Sequence, residues 1–273
     1  MTDLSDHSWQ SMTTAEAQDI GRADPVVILP VAAIEQHGPH LPLSTDLDIG
    51  IGLLGKAFTY LPSNFPVWVL PAQVVGTSPE HLTFPGTLSI DANLLGDLIC
   101  AQGKALARSG VRRLLVTNSH GGNRQAIDTA ALRLRRELGL LVIKSNYFLL
   151  PRPSGVTLPD AEWRHGLHGG AVETAMMLHL KPDLVRTEQL LDAPSLGRFL
   201  EQTLGHVDTT NEGASLAWLA EDLHSSGVAG NSTLATASIG KHLVDGYGRV
   251  LSEIIRDTKD FPLDRLMNDD LAK

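Results

Sequence analysis

The feature that most constrains this chain is the run Val26–Val31, aliphatic throughout except for Pro30. An apolar, β-branched run with no polar alternation is the pattern of a strand covered on both faces. The theme repeats downstream. The spacing predicts a helix from about Leu47 to Tyr60, then a strand over Val67–Ala72. Ser89 or Asp91 can cap a helix running to Ser109, with Gly110 as its stop. Leu114–Thr117 reads as a third strand, followed by a helix to about Leu138 closed by Gly139, and Leu140–Lys144 as a fourth strand. Strand and helix alternating at this spacing imply right-handed βαβ units. The expected fold is α/β: a three-layer α/β/α sandwich with a mainly parallel sheet, read as one domain over residues 1–273. In the second half, a Pro-rich loop through Pro151–Pro159 leads to Gly169-Gly170 and an apolar helix, Ala171–Leu180, stopped by Pro182. Residues 183–230 carry no periodicity that assigns them. A long helix is expected from about Leu234 to Asp257.

Charge and cysteine content remove several function classes. The net charge is −9, from 22 basic against 31 acidic residues, so a polyphosphate or anionic membrane surface is repelled and no nucleic-acid or membrane partner is expected. No apolar run approaches the roughly 18 residues of a membrane span. The N-terminus carries Asp3, Asp6 and His7 where a secretory signal needs a basic start, and the expected location is cytoplasmic. The single Cys100 supplies neither a disulfide nor a thiolate cluster, and its apolar neighbours predict a buried structural thiol. Eleven histidines are a generous supply, and their placement is informative.

Ligands of open parallel sheets bind outside the C-terminal ends of the strands. The loops leaving the first three strands carry Glu35-Gln36-His37 through Asp46, then Ser78-Pro79-Glu80-His81, then His120-Gly121-Gly122. Glu35 and His37, two apart, leave an extended segment on one side. Asp46 comes later, at the start of a helix, where the positive dipole end favours a carboxylate; a simple helix cap would occupy the same place. Two carboxylates and two imidazoles form a ligand set for zinc, manganese or iron, and an Asp can bridge two such ions. Ser78, His81 and His40 lie where they can touch substrate, and Gly121-Gly122 allow close backbone approach.

The segment Glu35–Asp46, with Phe84-Pro85-Gly86-Thr87 and Asn118–Asn123, resembles the creatininase (creatinine amidohydrolase) family. Further matches are His168-Gly169-Gly170-Ala171-Val172-Glu173-Thr174 and Gly227-Val228-Ala229-Gly230, in the right order along the chain. The resemblance implies an α/β/α metallohydrolase with two divalent ions, assembled as a homo-oligomer, usually a hexamer. By position, Glu35, Asp46 and His120 would hold one ion, and His37 with the shared Asp46 the other. Creatinine-cleaving members have Tyr and Glu directly after the third-strand histidine, the Glu completing the second metal. Here those positions are Gly121 and Gly122, and Glu173 is the candidate that fills the gap. His168 matches the family's catalytic histidine. The bland alternatives are a loop histidine for His168 and a buried hydrogen-bonding carboxylate for Glu173. Where the family has Asp-Pro in a late loop, this chain has Asn231-Ser232.

The resulting expectation is a binuclear metal-dependent amidohydrolase that cleaves a C–N bond of a small-molecule amide: a small cyclic amide, a formamide or a peptide end. Ser78, His81 and Gly121 would touch substrate, and His168 would protonate the leaving nitrogen. The alternatives are a binuclear phosphoester hydrolase, for which the strand-exit loops offer only Arg124 as a phosphate clamp, and a metal-binding member without turnover.

Overall fold

The computed structural model describes residues 7–210 and 213–266; the acidic stretch with Asp3 and Asp6 lies outside the described residues. The chain enters through helix α1 (Thr14–Ile20), strand β1 (Val26–Val31), helix α2 (Thr45–Phe58) and strand β2 (Val67–Val69). Helix α3 (Ala92–Arg108), strand β3 (Arg113–Asn118), helix α4 (Arg124–Leu138) and strand β4 (Leu141–Asn146) complete the regular half. The four strands form one parallel sheet in the order β2-β1-β3-β4. The fold is the expected α/β sandwich. Of the two candidate caps for α3 it is Asp91 that serves, its side chain accepting from the Asn93 N–H. Gly139 ends α4 in the left-handed conformation at φ +68°.

Strand β2 stops three residues short of the expected Ala72, and the reason lies in two prolines. The backbone of β1 that faces β2 includes Pro30, which has no N–H to give. Opposite it, the pairing slips by one residue: Leu70 N–H donates to Ile28 O, but the next bond to β1 comes from Gln73 N–H to Pro30 O. Pro71-Ala72 bulge out where a regular ladder would need a donor from Pro30.

On one face of the sheet, Val27, Leu29 and Val116 pack against Leu95 and Ile99 of α3 and Ile127 and Leu134 of α4. Cys100 lies buried in this layer, as expected. On the other face, Val26, Ile28 and Leu115 meet Leu54 and Phe58 of α2. Completing that layer are α5 (Asp160–His165), α6 (Ala171–Leu180) and, at the end of the chain, a long helix, Ala237–Asp260. This last helix contributes Leu251 and Ile255 to the sheet face, while Leu243 and Tyr247 pack on Met176 and Met177 of α6. It begins three residues later than its apolar pattern suggests, because Thr236 caps it by accepting from Ile239 N–H.

The unassigned stretch contains strand β5 (Asp192–Ala193), helix α7 (Leu196–Thr203), helix α8 (Ala220–Leu223) and strand β6 (Gly230–Asn231), ahead of the long helix, α9. Strands β5 and β6 pair antiparallel. Elements of two to eight residues are too short to print a period on the sequence. Among the described residues, no helix is long and apolar enough to cross a membrane.

Candidate metal centre

The strand order reverses at β1: the first crossover, through α2, places β2 on one side of β1, and the next, through α3, places β3 on the other. The crevice of such a sheet opens outside the C-terminal ends of β1 and β3. Glu35 and His37 leave β1 into it, His120 leaves β3, and Asp46 enters from the first turn of α2. The second half of the chain adds His168, in the loop before α6, and Glu173, in the first turn of α6. Donor atoms of Glu35, Asp46 and His120 lie within 4.8 Å of one another, and so do those of His37, Asp46 and Glu173. Asp46 belongs to both groups. Glu35, His37 and His168 form a third.

The main chain decides which nitrogen each histidine presents. A carbonyl oxygen only accepts, so the ring nitrogen beside it carries the proton. His120 Nε2 donates to Thr77 O at 2.9 Å, which turns Nδ1 toward Glu35 at 3.1 Å and Asp46 at 3.4 Å. His37 Nδ1 donates to Glu35 O at 3.1 Å, leaving Nε2 at 3.4 Å from Asp46 and 3.9 Å from Glu173. His168 Nε2 donates to Gln36 O at 2.6 Å, so Nδ1 faces Glu35 at 3.8 Å. Carbonyls that hold the far nitrogen are the usual support of a metal-ligating imidazole. His81 is oriented the other way. The Gln36 amide donates to His81 Nδ1 at 2.8 Å, so Nε2–H points at Glu35, 3.5 Å away. This proton makes no hydrogen bond to Glu35, and His81 belongs to none of the three groups.

Four buried atoms in the cluster have no hydrogen-bond partner: both carboxylate oxygens of Glu35, His37 Nε2 and Asp46 Oδ2. Stranding buried polar atoms costs several kcal/mol. That they converge on one spot, with hard and borderline donors and no thiolate, fits divalent cations such as zinc, manganese or iron. The titration of the cluster agrees. Burial resists charge on Asp46, and Glu35 beside it adds repulsion, so its carboxyl is raised to about 6. Burial also disfavours the His37 and His120 imidazolium forms, but Asp46 and Glu35 outweigh it, raising them to about 9 and about 10. Left to themselves these groups hold protons where a cation would bind, and cation binding releases them.

His168 is the exception. Its ring lies between those of His37 and His81, with centroids 4.1 and 4.3 Å away, and burial together with these two neighbours holds its pKa well below the usual histidine range. It is neutral at rest.

The expected substrate-contact residues divide. Gly121 is exposed, with open space where a side chain would start. Ser78 is buried, its hydroxyl 3.3 Å from His120 Nε2. Gly122 is obligatory: a Cβ there would collide with Thr77 O and stand 2.5 Å from His120 Nε2 and 2.8 Å from a Glu80 oxygen. A carboxylate side chain, which the family resemblance implies for creatinine-cleaving members at this position, has no room here. Glu173 instead stands across the cluster, its Oε2 accepting from Gly169 N–H at 2.6 Å and its Oε1 from Tyr147 OH at 3.4 Å. His40 lies behind the site, with Nε2 between Gly169 O and Thr174 Oγ, each 3.0 Å away.

Sequence reading missed Gln36 and Tyr147. Gln36 alternates with Glu35 and His37, so its side chain leaves the other face, where its amide holds His81 and donates to Gly227 O at 2.9 Å. That alternation was the available signal. Tyr147 comes directly after β4, the one strand of the parallel sheet whose exit has no histidine to draw attention to it.

Comparison with known proteins gives the family. The family profile for creatininase, described as creatinine amidohydrolase, matches residues 10–255. A mycofactocin precursor peptide peptidase of Mycolicibacterium smegmatis is 31% identical over 238 residues, covering 84% of each chain. A creatinine amidohydrolase of Pseudomonas putida is 30% identical over 191 residues, 64% of this chain and 72% of that one. Among solved structures, a creatinine amidohydrolase superposes with a TM-score of 0.71 at 25% identity, over 94% of this chain and 98% of the other. A manganese creatininase gives 0.71 at 24%, over 93% and 99%. Profile, relatives and fold agree: the chain belongs to the creatininase family.

Proposed function

We propose that this creatininase-family hydrolase is a binuclear metal-dependent amidohydrolase and that, of the three amide classes its sequence allows, it cleaves a peptide end. The observation that carries the reading is the convergence of four unpartnered buried atoms on residues that form two ligand groups sharing Asp46. Glu35, Asp46 and His120 would hold one cation, and His37, Asp46 and Glu173 the other. The manganese creatininase of the same fold is consistent with such an occupant. When bound, the cations supply a nucleophile at neutral pH by acidifying water, and they polarise the amide carbonyl.

The chain's own residues do the rest. Asp46 and Glu35 balance the cationic charge. His168, its Nε2–H fixed on Gln36 O, has only Nδ1 free to take up the nucleophile's proton. Its depressed pKa makes the protonated ring a strong acid, which delivers that proton to the departing nitrogen; an amide nitrogen cannot leave as an anion. The Nε2–H of His81 and the open backbone at Gly121 receive substrate in this reading. The preference for a peptide end over creatinine rests on the Gly-Gly form of the third-strand loop and on the mycobacterial peptide peptidase, which matches more of the chain than the creatinine amidohydrolase does. Assembly as identical subunits in the cytoplasm, six by family resemblance, belongs to the same reading.

The test is hydrolysis of a panel of peptides, formamides and creatinine by zinc- or manganese-loaded protein. Peptide cleavage that is lost in His168→Ala while bound metal is retained is the expected result. Loss of metal from that variant would make His168 a ligand through the group it forms with Glu35 and His37, and wild-type turnover in it would remove the acid role.

A further inference from the structure

A carboxylate that neither sequence pattern nor metal geometry singles out lies behind the His168 loop. Glu162, on α5, is buried, and among the described residues it has no basic partner. Its two oxygens are used by main chain instead: Oε1 accepts from Ala171 N–H at 2.7 Å and Oε2 from Asn231 N–H at 2.9 Å. A buried carboxylate satisfied by backbone N–H groups makes strong, directional bonds, and one at a helix N-terminus also meets the positive end of the dipole. Ala171 is the first residue of α6, and Asn231 is the last of β6.

Three glycines bring the backbone close around this one group. A Cβ at Gly166, Gly170 or Gly230 would lie 2.5, 2.6 or 2.8 Å from Glu162 Oε1. Gly230, at φ +140°, also holds a backbone conformation open to glycine and costly for other residues. Loop, helix start and strand therefore meet at one oxygen, with no side chain between them.

The loop that carries His168 hangs from this knot. Gly166 N–H donates to Glu162 O at 2.7 Å and so fixes the start of the loop, while Ala171 fixes its end. Between them, His168 and Ala229 exchange main-chain bonds of 3.2 and 2.8 Å, which ties the loop to the segment leading into β6. The next residue, Gly169, gives its N–H to Glu173.

We infer that Glu162 is a positioning residue: by joining α5, the start of α6 and β6 it sets His168 and Glu173 at their places in the metal centre without touching substrate or metal. The inference rests on the binuclear reading of that centre.

The test uses purified full-length protein and Glu162→Gln, which keeps the volume but must turn an NH2 toward one of the two backbone donors. Zinc titration against a chromophoric chelator and steady-state kinetics on the best peptide of the panel are read together. Zinc at the Glu35, Asp46 and His120 group is expected to bind as in wild type, and at the group containing Glu173 about 10- to 100-fold more weakly. The expected kcat is down about 10- to 100-fold with KM within about twofold, as for a displaced reacting group. Leu134→Ala, in the opposite layer, supplies a destabilised control; if it loses kcat to the same degree at a matched fall in Tm, the effect is general stability and the inference is overturned. Unchanged zinc affinity and kcat in Glu162→Gln overturn it as well. If that variant does not fold, Glu162→Asp keeps the charge but reaches only one donor, and the same outcomes apply. A wild type that takes up no zinc sinks the binuclear reading and this inference with it. A wild type that binds two zinc ions but cleaves no amide sinks only the hydrolase reading, because the zinc titration still tests Glu162.

Discussion

Three carbonyls, those of Thr77, Glu35 and Gln36, decide which nitrogen His120, His37 and His168 turn toward the carboxylates of the cluster, and a side-chain amide decides it for His81. The neighbouring glycines show how tightly this is drawn. Gly121→Ala places a methyl in open space, so stability should stay within about 0.5 kcal/mol, while KM for a substrate lying over the loop rises. Gly122→Ala drives a methyl into Thr77 O and His120, and backbone cannot yield as a side-chain tip can. Its expected cost is about 1–3 kcal/mol, with weakened metal binding at His120. Urea denaturation and zinc titration of both variants check the pair, and equal behaviour of the two would contradict it. At this scale the sequence was legible wherever residue type and spacing carry chemistry: Glu35, His37, Asp46 and His120 could be placed in one crevice from strand exits alone. That Glu173 and His168 join them came from family likeness, since Gly169, Gly170 and a long intervening loop hide their approach. The alternation along Glu35-Gln36-His37 carried a signal for Gln36, but which groups its amide and the Tyr147 hydroxyl meet becomes visible only in three dimensions.

Elements were readable where they are long and covered. Strand β1 and helix α6 keep the bounds their patterns give, because an unbroken apolar run and a proline-stopped helix leave little choice. The segment 183–230 was not readable, because its pieces are held by partners distant in sequence. Strand β6 is one example, pairing with β5 and bonded to Glu162. A similar long-range tie joins β1, β3 and α9. Asp24, just before β1, pairs with Arg113 at 3.0 Å and Lys259 at 3.3 Å, and Arg113 also donates to Thr258 O and Phe261 O at the end of α9. Partial burial alone would raise the Asp24 carboxyl, but Arg113 and Lys259 more than offset it and hold it below the ordinary value. The folded pKa being the lower one, this contribution is present in full above the unfolded carboxylate pKa of about 3.9 and fades as pH falls through the folded value. Asp24→Asn, which tolerates the φ of +49° at this site, should cost about 1–2 kcal/mol at pH 7. The gap to wild type should begin to narrow below about pH 4 and vanish only once pH has fallen below the folded value. Urea melts across that range read the effect directly, and a pH-independent difference would show that the charge is not what matters.

For the molecule as a whole, the sheet puts two segments of candidate ligands at the point where its strand order reverses, and the second half of the chain closes over them with α6. The parallel sheet is dictated by the alternation of strands and helices, whereas the closing half depends on loops whose contacts no periodic pattern encodes. A cation that binds only the folded chain adds stability by mass action, about 4 kcal/mol at a thousandfold excess over Kd. Stripping with a chelator should therefore lower Tm by on the order of 10 °C, and zinc or manganese should restore it. A Tm indifferent to both would mean that the cluster holds no cation. The measurement that bears most directly on the proposed binuclear centre is the metal content per chain of dialysed wild type and Glu173→Gln by elemental mass spectrometry. Close to two divalent ions in the wild type and close to one in the variant is the predicted result. One ion in both proteins, or none even after zinc and manganese are supplied, would contradict it.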